Sequence, residues 1–397
     1  QPRPRPQAPI APTCRLRHAL HMKRSSTRTV RQLDLEAPPS ALVDAAGKIA
    51  FGRYAHPIDN PQIAALGRVA RLRTKRWHYT SVTLPDHFLA IALADLGFAA
   101  HAFVYLVPKP FDADDRRPAV EHASLSLTQS LRPVLRMAES SVQGETRWRR
   151  RGERVTTTWH ADVTQRDAGD RQSGRADVGE WRINLDWPLG KQRLTGEVVV
   201  RRPPGTQCFA LAHPVTPEQP AYTHKDAGLP ARVDLTLTGK GSPTERIVDE
   251  GVAAVDWTLG WMRRETTWKW ASAAWRTAEG KIAGLNLSAD VYEDDDGHGR
   301  ENALWLDGRV FPLRGVRFQV PVDATSAPWR IRSIAGDEVN LTFTPRGARE
   351  ERLNIQVVVS QFVQPYGTFS GHVRLADGRK MRVNNVFGVV EDHVSRW

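Results

Sequence analysis

Two cysteines in 397 residues exclude a disulfide framework and any cysteine-built zinc site, and a reducing, cytoplasmic setting is the expectation that follows. Long apolar runs are missing as well. No stretch approaches eighteen consecutive apolar residues, so no membrane-spanning helix is expected. The first residues carry prolines and arginines without a seven-residue apolar core, and do not read as a secretory signal. Acid is absent there too: residues 1–33 hold eight Lys or Arg and no Asp or Glu. Of the formal net charge of +12, eight units belong to this tail and four to the remaining chain. The high isoelectric point is therefore a poor argument for a nucleic-acid partner. G-x-S-x-G, H-E-x-x-H, the phosphate-binding loop and the dinucleotide fingerprint are all lacking, and neither cofactor nor metal is expected. The acidic run Glu293 to Gly299 lacks the spacing of a calcium loop and reads as an exposed hairpin turn.

What the chain does have is tryptophan. Five of its thirteen Trp residues fall between Glu250 and Trp275: Trp257, Trp261, Trp268, Trp270 and Trp275. Each ring is costly to leave in water, and its N–H still needs a partner. Asp256 sits among them, where a carboxylate is either hydrogen-bonded structure or a tuned acid.

Around this stretch the pattern is that of short strands. Residues 1–39 lack periodicity and read as a disordered basic tail. Ile63, Leu66, Val69 and Leu72 recur at helical spacing behind a cap at Asp59-Asn60-Pro61. From Arg76 the sequence alternates: Trp77–Thr83, Phe88–Asp95 and Ala100–Val107 are expected strands, and Asp112–Arg117 a charged loop. Turns are expected at Gly144, Gly152, Asp167–Gly169, Gly190 and Gly205. Asp307-Gly308 and Asp377-Gly378 read as hairpin turns. Gln207 to Pro230, with four prolines and one glycine, reads as a junction. The division is thus a tail at 1–39, one β domain at 40–219 and a second at 220–397. No interval alternates strands with long helices, so an all-β architecture of sandwiches or barrels is expected.

Several ordered motifs carry a resemblance. The first half has G-R at 52–53, K-R-W-H-Y-T at 75–80, D-H-F at 86–88 and A-D-L-G-F at 94–98. The second half has Y-T-H-K at 222–225, D-W-T-L-G at 256–260, W-K-W-A at 268–271, G-L-N-L at 284–287 and E-N-A-L-W at 301–305. L-T-F-T-P at 341–345, Q-P-Y-G-T-F-S-G at 364–371 and E-D-H at 391–393 follow. Together they resemble the bacterial domain-of-unknown-function family 2804 across about residues 40–397. That family is in turn similar to the lipocalin-like (calycin) group of carotenoid 1,2-hydratases and AttH-like proteins. The resemblance implies two consecutive lipocalin-like antiparallel β-barrels and a hydrophobic ligand, and supplies no established reaction.

A barrel of this type encloses one small molecule, and an aromatic hollow with a few polar groups is an ordinary small-molecule site. The candidate wall is Trp77, Tyr79, Trp257, Trp268 and Trp270. Tyr222, His224 and Lys225 precede Asp256 in the chain and are expected at the same mouth. Asn286, Glu301, Asn302 and Gln364 are polar residues beside strongly apolar segments. Two functions follow. One is binding of an isoprenoid- or lipid-like hydrophobic small molecule. The other is a hydratase, isomerase or cyclase in which Asp256, kept protonated by apolar neighbours, protonates an alkene. The competing structural role for Asp256 is a turn cap. Glu391 and His393 form a pair able to move protons, or simply to pack near the terminus. The basic cluster Arg147–Arg154 reads more readily as a soluble hairpin tip than as a nucleic-acid contact. No oligomeric state is assigned.

Overall fold

A computed structural model describes residues 35–63, 73–109, 118–162, 177–355 and 358–396. The basic tail through residue 34, the expected helix beyond Ile63, the 112–117 loop and the 167–169 turn lie outside these residues. The described chain is all-β: two curled antiparallel sheets, of thirteen and nine strands.

The first sheet opens with β1 (Gly52–Tyr54), β2 (Thr74–Thr83), β3 (His87–Asp95), β4 (Ala100–Pro108) and β5 (Val120–Ser126). It continues through β6 (Leu135–Arg136), β7 (Glu145–Arg150), β8 (Glu153–Ala161), β9 (Gly179–Leu189) and β10 (Gln192–Arg202). It ends with β11 (Phe209–Thr216), β12 (Gln219–Gly239) and β13 (Ser242–Trp261). The spatial order is β5-β4-β3-β2-β13-β12-β10-β9-β8-β7-β6, with β11 joining β1 to β12. Its two ends curl over one apolar core that mixes Leu89, Ile91 and Val104 with Trp148, Trp181 and Trp187. Side chains fasten the curl. Arg150 Nη1 donates to Ser124 Oγ (2.9 Å) and the Leu125 carbonyl (3.0 Å), and Trp187 Nε1 donates to the His122 carbonyl (3.2 Å). Part of the basic cluster thus closes a sheet edge that would otherwise stay open.

The second sheet contains β14 (Glu265–Arg276), β15 (Ile282–Ala289), β16 (Ala303–Leu306), β17 (Arg309–Pro312) and β18 (Val316–Gln319). β19 (Trp329–Ser333), β20 (Val339–Ile355), β21 (Val358–Arg374) and β22 (Lys380–Arg396) complete it. Its order is β17-β16-β15-β14-β22-β21-β20-β19-β18, again around its own core, with Leu285, Trp329, Phe343 and Phe369 at the centre. Asp307 (φ 48°) and Gly308 (φ 76°) both take positive φ between β16 and β17, as a two-residue hairpin turn of this sequence requires.

Strands β2, β3 and β4 are largely buried on both faces because both faces are covered. Val82, Leu89, Leu93 and Val104 point into the first core, while Tyr79, Phe88, Phe103 and Tyr105 pack on Trp270, Tyr366 and Phe387 of the second sheet. The sheets also meet backbone to backbone. A Cβ on Gly284 of β15 would sit 2.3 Å from the Ala227 carbonyl carbon and 2.5 Å from the Gly228 nitrogen on β12. Only glycine permits that approach.

The 207–230 segment, expected as a junction, is instead β11 and half of β12. Its last proline is tolerated for a positional reason. β12 pairs with β11 up to Lys225 and with β10 from Ala231 onward, so Pro230 falls where one side of the strand has no neighbour in the ladder and needs no donor. Both strands belong to the first sheet. The chain changes sheets at 262–264, between β13 and β14, in the middle of the Trp-rich stretch.

Candidate functional site

Where the first sheet faces the second, cross-strand registers bring two sets of side chains opposite one another. On the first sheet, Lys225, Asp256 and Tyr79 are direct cross-strand partners, and the row continues to Ala92 and Phe103. On the second, Ser288, Trp270 and Glu391 form one row, and Trp268, His393 and Phe362 the next. These rows enclose a hollow of about 170 Å³. A second hollow of about 440 Å³ lies further along the same strands, bordered by Lys109, Arg276 and Arg346.

The first hollow is walled by rings. Trp77 and Trp268 stack across the sheet junction with centroids 6.2 Å apart, and Tyr79 meets Trp270 edge-on at 5.3 Å. Trp270 is held by its N–H, which donates to Asn286 Oδ1 (2.8 Å), while Asn286 Nδ2 donates to the Glu301 carbonyl (2.6 Å). Phe103 and Phe362 extend the wall and carry the Arg349 guanidinium above them, at 4.1 and 5.1 Å from the ring centroids. Arg349 also pairs with Glu351 and Glu121.

The polar groups fall into two chains. In one, Lys225 Nζ donates to Asp256 Oδ2 at 2.5 Å and lies 3.7 Å from Glu301 Oε2. Asp256 Oδ1 faces the hydroxyls of Thr258 (3.2 Å) and Thr223 (3.4 Å). Burial opposes the charge on Lys225, but Asp256 and Glu301 outweigh it and raise the ammonium pKa above its ordinary value. Glu301 is pushed up to about 7, chiefly by burial and partly by Asp256, against the pull of Lys225. In the other chain, Tyr105 OH donates to Gln364 Oε1 (2.9 Å), Gln364 Nε2 to Glu391 Oε2 (2.9 Å), and Trp268 Nε1 to Glu391 Oε1 (2.5 Å). Burial lifts Glu391 to about 7 despite those two donors. Burial holds His393 down at about 3, so its ring is neutral between Ser360 and Ser395, at 2.8 and 2.7 Å.

These values fix a sign. A Glu391 carboxyl that titrates near 4.5 unfolded and near 7 folded gives stability that is complete below pH 4.5 and lost as pH rises to 7. Glu391→Gln removes that loss. The variant is expected to gain up to about 3 kcal/mol on the native protein between pH 4.5 and 7, read as the difference of two urea titrations. The neutral histidine acts in both proteins and cancels. A flat difference would refute the shift.

The hollow gathers Trp77, Tyr79, Lys225, Asp256, Trp268, Trp270, Glu301 and Gln364. It does not gather Tyr222, His224 or Trp257, which alternation turns to the opposite face. Tyr222 OH accepts from the Ile58 N–H (2.9 Å), its ring meeting Trp257 at 6.1 Å. His224 bridges Ser141 Oγ (2.7 Å) and Asp226 Oδ2 (2.9 Å), and Arg202 holds that same Asp226 oxygen. This Ser–His–Asp relay is sealed, each member 3% exposed or less. Asn286 stands behind Trp270. Asn302 is structural, accepting from the Ser288 N–H (2.7 Å) and donating to the Gly299 carbonyl (2.9 Å). Asp256, expected either as a tuned acid or as a turn cap, is instead the partner of the Lys225 ammonium. Sequence reasoning did not reach Tyr292, Ser288, Arg349, Phe103 or Phe362, which also line the hollow. Only the strand alternation of Ala100–Val107 hinted that Phe103 would face away from the first core.

The crystal structure of an AttH-like protein from Nitrosomonas europaea is similar, with 14% identity, a TM-score of 0.44, and coverage of 81% of this chain and 92% of that one. No curated protein matches the sequence. The model of the family described as domain of unknown function (DUF2804) matches residues 32–397, nearly the whole length, and the chain belongs to that family.

Proposed function

We propose that the protein binds a hydrophobic small molecule in the hollow between its two sheets. The observation carrying this reading is the convergence of Trp77, Tyr79, Trp268 and Trp270 on one space that the surrounding cores leave open. Such rings give large apolar contact at low entropic cost, and the few polar groups orient the guest. N-phenyl-1-naphthylamine is expected to bind saturably, one to one, with energy transfer from tryptophan. Trp268→Ala is expected to weaken it about tenfold, corresponding to loss of one ring face. Unsaturable uptake, or full affinity without Trp268, would count against the hollow.

The raised carboxyls favour a second reading, an enzyme of hydratase, isomerase or cyclase type. Protonating an alkene needs a buried acid that still holds its proton near neutrality, and rings to face the resulting cation. Glu391 and Glu301 meet that requirement, with values of about 7, whereas ion-paired Asp256 positions Lys225. On this reading Glu391→Gln abolishes deuterium uptake from heavy water into an isoprenoid alkene, with probe binding as the control for folding. Uptake at the native rate in the variant would remove Glu391 from the chemistry.

A further inference from the structure

Tyr292 lines the hollow with an unpaired polar group on a strained stretch of backbone. It lies on the return from β15 to β16, only 6% exposed, and its hydroxyl has no hydrogen-bond partner. A buried hydroxyl left unpaired costs on the order of 1–3 kcal/mol, so each such group calls for a reason. The backbone is strained as well: Tyr292 has φ 48° and Asp290 φ 69°, in a region that non-glycine side chains seldom occupy. The ring packs on His213, at 5.4 Å between centroids, and it lines the hollow together with Glu301, whose charge acts on its phenol. Glu301 repeats the pattern. It is 2% exposed, and its Oε2 makes no hydrogen bond, with Lys225 Nζ at 3.7 Å and committed to Asp256.

The two groups have the same polarity. Burial, with the charges of Glu301 and Asp256, keeps the tyrosine phenol far above its ordinary pKa and hence a neutral donor. Burial likewise favours the protonated, donating form of Glu301. A phenol beside a protonated carboxylic acid in an apolar site is a known device for holding a carbonyl oxygen. An anionic guest fits poorly, because both cations of the hollow are already committed, Lys225 to Asp256 and Arg349 to Glu351 and Glu121. We propose that the apolar molecule admitted to this hollow carries a carbonyl group, whose oxygen accepts hydrogen bonds from the Tyr292 hydroxyl and the Glu301 carboxyl. This rests on the binding reading above and narrows it from any apolar guest to a ketone or aldehyde.

Acetophenone and ethylbenzene share a shape and differ in the oxygen, and a cavity of about 150 Å³ accepts one benzene ring. The affinities of both for the full-length protein are measured by calorimetry, together with the carbonyl stretch of bound acetophenone by difference infrared spectroscopy. In the native protein the stretch is expected to fall to lower frequency than in hydrocarbon solvent. Tyr292→Phe keeps the ring and removes the hydroxyl. It is expected to lower the acetophenone-to-ethylbenzene affinity ratio about tenfold and return the stretch toward its solvent value. An unchanged ratio with an unshifted stretch overturns the carbonyl inference while leaving apolar binding intact. Tighter binding of benzoate than of acetophenone overturns it as well. If neither neutral probe binds, the binding reading fails and takes this inference with it.

Discussion

Replacing Lys225 by methionine is expected to destabilise the protein by about 3–5 kcal/mol at pH 7, because it leaves a buried carboxylate without its counter-ion. Methionine restores most of the buried stem but not the 2.5 Å contact to Asp256 Oδ2. The two threonine hydroxyls at 3.2 and 3.4 Å are too few and too long to replace an ammonium. A second substitution, Asp256→Asn, is expected to recover most of the loss, since the penalty belongs to the orphaned charge and not to the missing bond. Urea midpoints of native, single and double variants form the necessary cycle. A loss under about 1 kcal/mol in the single variant would mean that Asp256 behaves as an exposed pair member.

The contrast between Lys225 and its sequence neighbours marks where the sequence stopped being readable. Strands were legible because their signals are local: alternation from Trp77 to Thr83, and Asp307-Gly308 at a turn that needs two positive φ angles. The double-faced burial of β3 and β4 also showed, as runs with no polar face. Y-T-H-K at 222–225 contained its own answer in part. A period of two separates Tyr222 and His224 from Thr223 and Lys225, and the structure sends the first pair to the interior of the first sheet. Which pair faced the hollow depended on the second sheet, and no local pattern states that. The role of Asp256 was beyond reach for a similar reason. Whether it is a protonated acid or half of an ion pair turns on a register that sets it against a residue 31 positions earlier. Tyr292 was hidden differently. It stands next to the Glu293–Gly299 run, which reads as an exposed turn, and it borrows its burial from the opposite sheet.

The junction of the sheets is also the most brittle point in the fold. Gly284→Val is expected to cost more than about 3 kcal/mol, above the usual range for an overpacked core site. The reason is what the new atoms would strike. A Cβ there meets the Ala227 carbonyl carbon at 2.3 Å and the Gly228 nitrogen at 2.5 Å. These are backbone atoms in β12, a strand pinned by β13 along the whole contact. No rotamer change relieves such a clash. Either the ladder breaks at the Ala227–Leu229 irregularity or the second sheet moves away from the first. The hollow takes its walls from both sheets, so the second outcome would separate Trp77 from Trp268 and Lys225 from Glu301. Gly284→Val is therefore expected to lose the apolar probe at temperatures where circular dichroism still reports intact strands. Gly280→Ala serves as the comparison, because a side chain there meets nothing within 4 Å and only the positive φ of 78° is penalised. Binding retained in the Gly284 variant at native strength would show that the two sheets do not need this contact to hold the hollow together.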